Sequence, residues 1–171
     1  MTIENALTRR QIFNQRFAGG EAIAAQNILK RIYARVTERL LRDPTDFQRL
    51  NITRIRNDIN NILAVDLKDM KEVIINRTLD FAEAESAFMY TALSAETSVI
   101  LALPAIEQIK QAVTQAGMDV VVGSGTLTID EALDKFAVNK SIEIRQAIND
   151  GILEGQTNQQ IAGVIKDYGD N

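Results

Sequence analysis

Apolar residues recur at every third or fourth position along most of this chain, which is the spacing that gives an α-helix one buried face. In residues 21–41 the apolar positions are Ile28, Leu29, Ile32, Val36 and Leu40. After Pro44 a second series contains Phe47, Leu50, Ile55, Ile59, Ile62 and Leu63. These two series predict long helices over residues 21–41 and 46–96, each with one buried face.

Glycine and proline predict where the N-terminal helices end. A helix over residues 2–18 is expected to break or loosen at Gly19-Gly20, because paired glycines weaken a helix. The helix over 21–41 is expected to end at Asp43-Pro44, since the residue before a proline avoids helical backbone angles. At Asp66 the following helix either restarts or simply continues.

Residues 67–88 carry a seam with the three-and-four spacing of a heptad repeat. Its members are Leu67, Met70, Ile74, Arg77, Phe81, Ala84 and Phe88. Arg77 is the only interruption. The seam predicts an antiparallel helical hairpin that packs on itself, and self-association through a coiled coil between subunits is the alternative.

The region after Pro104 has shorter elements. Pro104 suits the first turn of a helix over residues 105–116, which Gly117 would end. Residues 118–128 are expected to form either a loop or a small β-hairpin, with Gly123-Ser124-Gly125 as the turn.

Two capping boxes organise the C-terminal helices. In each box a threonine hydroxyl caps the amide three residues on, while the side chain at that position reaches back to the threonine. Thr128 and Glu131 form the first box, and Thr157 and Gln160 form the second. Gly155 stands where a left-handed helix end favours glycine.

These boxes predict three helices in the C-terminal part. The first runs from 128 to about 138, the second starts at Asn139 or Ser141 and continues to 153, and the third covers 158–168. The last helix is expected to bury Ile161, Val164 and Ile165.

The predicted fold class is therefore mainly α. An elongated helical hairpin or bundle over residues 1–103, with a basic N-terminal part, is followed by a small helical subdomain over 104–171. The short β-hairpin near 118–128 belongs to the second part.

Composition narrows the chemistry. The 171 residues include no cysteine and no histidine, so the commonest general base and the usual transition-metal ligands are missing. No spacing of carboxylates matches a hydrolase pair or a calcium loop. We therefore expect no catalytic, cofactor-binding or metal-binding residues. The longest apolar run, around residues 99–104, is far too short for a membrane-spanning segment.

The net charge of −4 conceals an asymmetry. Residues 1–60 carry 11 basic and 6 acidic residues, whereas residues 61–171 carry 8 and 17. A stripe on one helical face consists of Arg31, Arg35, Arg39 and Arg42, and Arg49, Arg54 and Arg56 follow it. These arginines are either a solvated face whose charges pair locally, as Glu38 with Arg42, or a contact surface for DNA or an acidic protein partner.

The order of the C-terminal blocks carries a resemblance. A helical hairpin runs from Asp66-Leu67-Lys68-Asp69-Met70 to Phe81-Ala82-Glu83-Ala84-Glu85, and a proline-led helix follows. Then come Gly125-Thr126-Leu127-Thr128-Ile129-Asp130-Glu131-Ala132-Leu133 and Ile144-x3-Ile148-x2-Gly151-Ile152-x2-Gly155-Gln156-Thr157-x3-Ile161. Taken together, these blocks resemble the phage head-morphogenesis, or minor head, proteins of the Mu protein F-like group. The specific part of the likeness is Thr126–Ile165.

The resemblance implies a structural virion protein in the head interior or near the portal, and in the host cytoplasm during assembly. Such proteins associate with portal or capsid proteins and with packaged double-stranded DNA, and some leave the head at ejection. In this pattern Gly125, Gly151, Gly155 and Thr157 have structural roles. Relatives usually continue beyond the position of Asn171, and nothing is implied about their further domains. The alternative function is a non-enzymatic helical adaptor or nucleic-acid-binding module outside a virion.

Overall fold

The computed structural model describes residues 3–42, 49–96, 102–119 and 126–170. Its elements, in chain order, are α1 (Ile3–Leu41), α2 (Arg49–Glu96), α3 (Ile106–Gln115), β1 (Met118–Asp119), β2 (Thr126–Leu127), α4 (Ile129–Leu153) and α5 (Asn158–Asp170). The two short strands pair antiparallel, with Met118 opposite Leu127. The mainly α class is confirmed, and the small hairpin forms where a loop or a hairpin was expected.

The chain forms two compact units, each built from discontinuous segments. Unit 1 comprises Met1–Ala24 and Glu72–Leu133, and unit 2 comprises Ala25–Lys71 and Asp134–Asn171. Three helices, α1, α2 and α4, therefore contribute residues to both units. These bounds follow the packing of helices, whereas the predicted division between residues 103 and 104 follows the chain, and that division stays a prediction.

Unit 2 has an aliphatic core from four helices. Among the described residues, its buried hydrophobic side chains are Ile32, Tyr33, Val36 and Leu40 of α1, Ile55, Ile59, Leu63, Leu67 and Met70 of α2, Ile144 and Ile148 of α4, and Ile161, Ala162 and Ile165 of α5. Six of these belong to the two predicted apolar series, while Ile28, Leu29 and Ile62 are half-buried. Phe47 and the side chain of Leu50 lie outside the described part. Burying a branched aliphatic side chain stabilises a fold by about 1.5–3 kcal/mol, so this core dominates the stability of unit 2.

Unit 1 relies more on aromatic packing. Within its described residues, the buried hydrophobic side chains are Ile109 and Ile129. Phe81 of α2 stacks on Phe17 and Phe13 of α1, with ring centroids 4.2 and 6.4 Å away. Such ring pairs contribute about 0.5–1.5 kcal/mol beyond the area they bury.

A half-buried ion pair continues this aromatic cluster. The Arg10 guanidinium donates to the Glu85 carboxylate at 2.5 Å, and their side chains are only 15% and 27% exposed. The same guanidinium lies over the rings of Phe13 and Phe88, at 4.5 and 4.8 Å from their centroids. Cation–π contact adds to the ion pair, because the ring faces carry negative potential.

The predicted seam over residues 67–88 is partly wrong in register. Of its members, Leu67 and Met70 are buried and Ile74, Phe81 and Phe88 are half-buried, as predicted. Arg77 and Ala84 are exposed, and the residues that follow them, Thr78 and Glu85, are half-buried instead. Polar residues are tolerated there because Thr78 donates its hydroxyl to the Ile74 carbonyl and Glu85 accepts from Arg10. Arg77 donates instead to Glu21 of α1 at 3.2 Å.

Within unit 1, α1 and α2 pack antiparallel, because Arg10 and Glu21 of α1 contact Glu85 and Arg77 of α2, respectively. The predicted hairpin between the Asp66–Met70 and Phe81–Glu85 segments does not form, since both segments lie on the single helix α2.

Two predicted helix breaks are wrong. Gly19-Gly20 lies inside α1, where Phe17 stacks on α2 and Glu21 pairs with α2, so contacts on both sides of the glycines hold the helix. Asn139 and Ser141 lie inside α4, and the Lys140–Glu143 ion pair of 2.7 Å spans the predicted start. Polar side chains are compatible with a helix interior where they face solvent, as Asn139 does.

Other boundaries agree more closely. The helix predicted to end before Asp43-Pro44 ends at Leu41, and α2 continues through Asp66. Pro44 itself lies outside the described part. Pro104 was predicted to lie in the first turn of α3. It instead precedes the cap residue Ala105 and lies outside the helix.

The turn between α4 and α5 forms as the sequence predicts. Gly155 has a φ of 69°, the left-handed region. The Gln156 amide donates to the Gly151 carbonyl at 2.8 Å, and the Gly155 amide donates to the Ile152 carbonyl at 3.2 Å, which together make a Schellman motif. At Gly151 an added Cβ would lie 2.5 Å from Cγ1 of Ile161, so α5 packs against the bare backbone of α4.

In α5, Val164 is exposed and the prediction that it is buried is wrong. Ala162, next to Ile161, is buried instead. Ile161 and Ile165 are fully buried, as predicted. The buried face of α5 therefore contains Ala162 and not Val164.

The glycines allow a stability test with an internal control. Nothing lies within 4 Å of a Cβ placed on Gly19 or Gly20. Gly19→Ala and Gly20→Ala should each raise the free energy of unfolding by about 0.5–1 kcal/mol, because alanine favours a helix interior. Gly155→Ala should lower it by about 1–2 kcal/mol, since an L-residue is strained at positive φ. Urea unfolding followed by circular dichroism measures all three. A loss of stability in both α1 variants would contradict a continuous helix.

Candidate functional site

The predicted arginine stripe lies on α1 within unit 2, and most of it faces carboxylates of the same chain. Arg35 donates to Asp66 of α2. Arg39 donates to Asp58 of α2 at 2.7 Å. Arg42 donates to Glu38 at 2.6 Å, the local pair that the sequence suggested. The hydrogen bond from Arg42 holds the pKa of the Glu38 carboxyl below its usual range.

The remaining arginines of the predicted set differ. Arg31 is exposed, and it has no ion pair within the described ranges. Arg56 donates to the Asn149 carboxamide of α4 at 2.7 Å. Arg54 is exposed and has a polar interaction of its own, and the side chain of Arg49 lies outside the described part. The predicted surface therefore contains two kinds of arginine. Arg35, Arg39 and Arg42 are bound to carboxylates, whereas Arg31 and Arg56 are not.

Arg56 opens onto a small cleft between α2 and α4 in unit 2. The cleft has a volume of about 140 Å³ and is lined by Arg56, Ile59, Asn60, Arg145, Ile148 and Asn149. Both isoleucines are buried and form its apolar base. The rim is polar and basic, and no carboxylate belongs to the lining.

Sequence analysis missed Arg145. The signal was nevertheless present, because Arg-x-x-Ile-Asn occurs at 56–60 and again at 145–149. On a helix these positions share one face, since residues three and four apart are neighbours. A search for short patterns repeated on different predicted helices would have found the pair.

Unit 1 contains a larger and more apolar groove. Its volume is about 610 Å³, and its lining includes Phe81 and Met89 of α2, Pro104, and Val113 of α3. The groove lies along the C-terminal half of α2, beside the aromatic cluster. Glu85 is the one carboxylate of its lining, and that carboxylate already accepts from Arg10.

The predicted caps have the expected geometry. The Thr128 amide donates to the Glu131 carboxylate at 2.8 Å, and the Glu131 amide donates to the Thr128 hydroxyl at 3.2 Å. Thr157 and Gln160 exchange the same two bonds at 2.8 and 3.3 Å. Each of these side chains therefore satisfies the free amides of a helix end. Gly125 lies outside the described residues.

A titratable cluster lies elsewhere in unit 2. Burial raises the pKa of the Tyr33 phenol, and the nearby Lys140 ammonium opposes that effect. The hydrogen bond to Glu143 raises the pKa of Lys140, and partial burial opposes it. The ring of Tyr33 packs against Gly169 of α5, which leaves little space for a ligand.

Within the ranges that the structure describes, no group of three or more acidic side chains could hold a metal ion, and no helix is long and apolar enough to cross a bilayer. Comparison with models of protein families, with curated proteins and with solved structures finds no match.

A double-mutant cycle tests whether the arginine stripe is committed to contacts within the chain. The Arg39 side chain is 12% exposed, whereas those of Arg42 and Glu38 are 67% and 63% exposed. Arg39→Ala with Asp58→Ala should show a coupling of about 1 kcal/mol in urea unfolding, because the arginine is largely shielded from water. The cycle on Arg42 and Glu38 is the control and should show no measurable coupling. Equal coupling in the two cycles would contradict this assignment.

Alkaline pH should destabilise the protein. The folded-state pKa values of Tyr33 and Lys140 lie above their ordinary values of 10.0 and 10.5, so the folded state binds both protons more tightly. Their contribution is complete below pH 10.0 and is lost as pH rises through the folded-state values. Unfolding free energies measured from neutral pH to pH 11 should therefore fall at the alkaline end. Tyr33→Phe should make the decline shallower, and an unchanged decline would refute the role of this phenol.

Proposed function

We propose that this protein is a non-enzymatic structural component of a phage virion, of the minor head or head-morphogenesis class. It associates with portal or capsid proteins and with packaged double-stranded DNA. Its place is the head interior or the vicinity of the portal, and the host cytoplasm during assembly. Ejection with the DNA is part of the same proposal.

The observation that carries the proposal is the order of blocks from Thr126 to Ile165. Each block that resembles the head-morphogenesis proteins has a structural job in this chain. The Thr128 box begins α4, Gly151 admits the side chain of Ile161, and Gly155 reverses the chain before the Thr157 box. Residues used for caps, turns and close packing are what a scaffold protein requires, and they support a structural role.

The arrangement of polar residues also supports a structural role. The carboxylates Asp58, Asp66 and Glu85 are each bound to an arginine of α1. These ion pairs join two helices, so they support a structural role for the three carboxylates. Of the three, only Glu85 lines a described cleft, the groove of unit 1.

The 610 Å³ groove of unit 1 is compatible with assembly into a larger particle. Several large apolar side chains of this unit are exposed, among them Ile12, Ile23 and Ile106. Apolar surface that is open in one chain is a common feature of proteins that function in assemblies. Self-association through residues 67–88 stays a prediction; Leu67 and Met70 are already buried within a single chain.

A second candidate function is a helical adaptor or nucleic-acid-binding module outside a virion. The exposed Arg31 and the basic cleft around Arg56 and Arg145 favour it. The ion pairs of Arg35, Arg39 and Arg42 weaken it, because a guanidinium bound to a carboxylate must give up that contact to bind a phosphate.

One experiment separates the two functions. Particles of the phage that encodes this chain would be purified on a density gradient, with and without a deletion of its gene. The proposal expects the protein to band with particles in wild-type stocks, and the deletion to reduce infectious yield. The adaptor function expects DNA binding with no particle association. Intact, infectious particles formed without the protein would overturn the virion role.

A further inference from the structure

We propose that the cleft formed by Arg56, Asn60, Arg145 and Asn149 is a binding site for a single phosphate group. The site lies wholly within unit 2 and is distinct from the ion-paired arginines of α1. It does not depend on the virion role, so either proposal can fail alone.

Two side-chain hydrogen bonds between α2 and α4 show the relative direction of these helices. Lys71 of α2 bonds Asp134 of α4 at 2.6 Å, and Arg56 of α2 bonds Asn149 of α4 at 2.7 Å. A lower number on α2 meets a higher number on α4, so the helices run antiparallel. The two Arg-x-x-Ile-Asn segments therefore face each other in opposite directions.

This arrangement places arginine opposite asparagine on both sides of the cleft. Arg56 lies opposite Asn149, as their hydrogen bond shows. By the same antiparallel relation Asn60 lies opposite Arg145, and all four residues line the cleft. The result is a nearly two-fold arrangement of donors around a base formed by Ile59 and Ile148.

The side chains that line the cleft carry a net positive charge. The lining holds two guanidinium groups and no carboxylate. Neither arginine has an acidic residue three or four positions away on its own helix, where a local ion pair would form. Neither forms an ion pair with any part of the chain that the structure describes. This differs from Arg35, Arg39 and Arg42, whose charges are balanced within the chain.

The hydrogen-bond donors that line the cleft match the oxygens of a phosphate group. A guanidinium presents donors in a planar fork that suits phosphate oxygens, and two forks from opposite sides suit a tetrahedral anion. The Asn149 carboxamide accepts from Arg56 through Oδ1, which leaves its Nδ2 group as a donor. A carboxylate, with two oxygens and one charge, would be satisfied by a single fork.

The volume of the cleft limits the size of the ligand that it can hold. Pockets for drug-sized ligands have volumes of roughly 300–1,000 Å³. The cleft has about 140 Å³, which suits a phosphate group and excludes an attached base or sugar from its interior. The rest of any phosphate-bearing molecule would therefore lie outside the cleft, in solvent or on the neighbouring surface.

Binding of inorganic phosphate to the full chain tests the site. Isothermal titration at constant ionic strength would compare wild type with Arg145→Gln, Arg56→Gln and the control Arg9→Gln. Arg9 is exposed on α1 in unit 1, outside the cleft and outside the predicted contact set, so its variant makes the same change of charge elsewhere. Each cleft variant should weaken phosphate binding by about tenfold or more, because a charge-assisted hydrogen bond is lost. Arg9→Gln should bind as wild type does, and acetate should not bind.

A second arm distinguishes free phosphate from the phosphodiester of nucleic acid. The same variants would be titrated with a short DNA duplex at several salt concentrations. A weaker salt dependence in both cleft variants, but not in Arg9→Gln, would identify a backbone phosphate as the ligand. Binding of inorganic phosphate alone would identify a small phosphate-bearing molecule.

The controls keep the result decisive. Arg56→Gln removes the bond to Asn149 and can destabilise unit 2, so circular dichroism melts would accompany every titration. Arg145→Gln breaks no bond within the described residues and carries the test if Arg56→Gln fails to fold. The proposal is overturned if wild type binds neither phosphate nor duplex DNA. Equal weakening of binding in all three variants would overturn it as well.

Discussion

The antiparallel pairing of α1 with α2 is the constraint on which the rest of this structure depends. In unit 1 it is secured by Arg10 with Glu85 and by Glu21 with Arg77. In unit 2 it is secured by Arg35 with Asp66 and by Arg39 with Asp58. Apolar burial supplies most of the stability of such a pair, but it is nearly indifferent to small shifts along the helix axes. The charged contacts select one register, because a shift would leave shielded charges without partners.

That pairing has a functional consequence. Two arginines of the predicted stripe, Arg35 and Arg39, hold α1 against α2, and Arg42 is paired with Glu38. The charge of these three side chains is therefore balanced within the chain, whereas Arg31 is exposed and has no ion pair within the described ranges. The cleft between α2 and α4 differs from the α1 stripe, because Arg56 and Arg145 line it and no carboxylate does.

The two units achieve their packing in different ways. Unit 2 buries aliphatic side chains from four helices, and the tight turn around Gly155 brings α5 onto α4. Among the described residues, unit 1 buries fewer side chains completely, and its Arg10 guanidinium lies over the rings of Phe13 and Phe88. The open groove and the exposed isoleucines belong to this second kind of packing. A structural role in an assembly is consistent with a unit whose apolar surface is left partly open.

Local sequence determined the features whose causes lie within a few residues. The helix-forming spacing, both capping boxes and the left-handed Gly155 follow from hydrogen bonds and sterics over one turn, and each was predictable from the chain alone. Tertiary contacts decided whether α1 continues through Gly19-Gly20, whether α4 continues through Asn139, and which residues at 77–85 face inward. The outcomes in α1 and at residues 77–85 depend on partners more than 50 residues away, such as Glu21 for Arg77. The repeated Arg-x-x-Ile-Asn pattern that contains Arg145 is visible in the sequence. That its two copies line one cleft was decided by the antiparallel packing of α4 on α2.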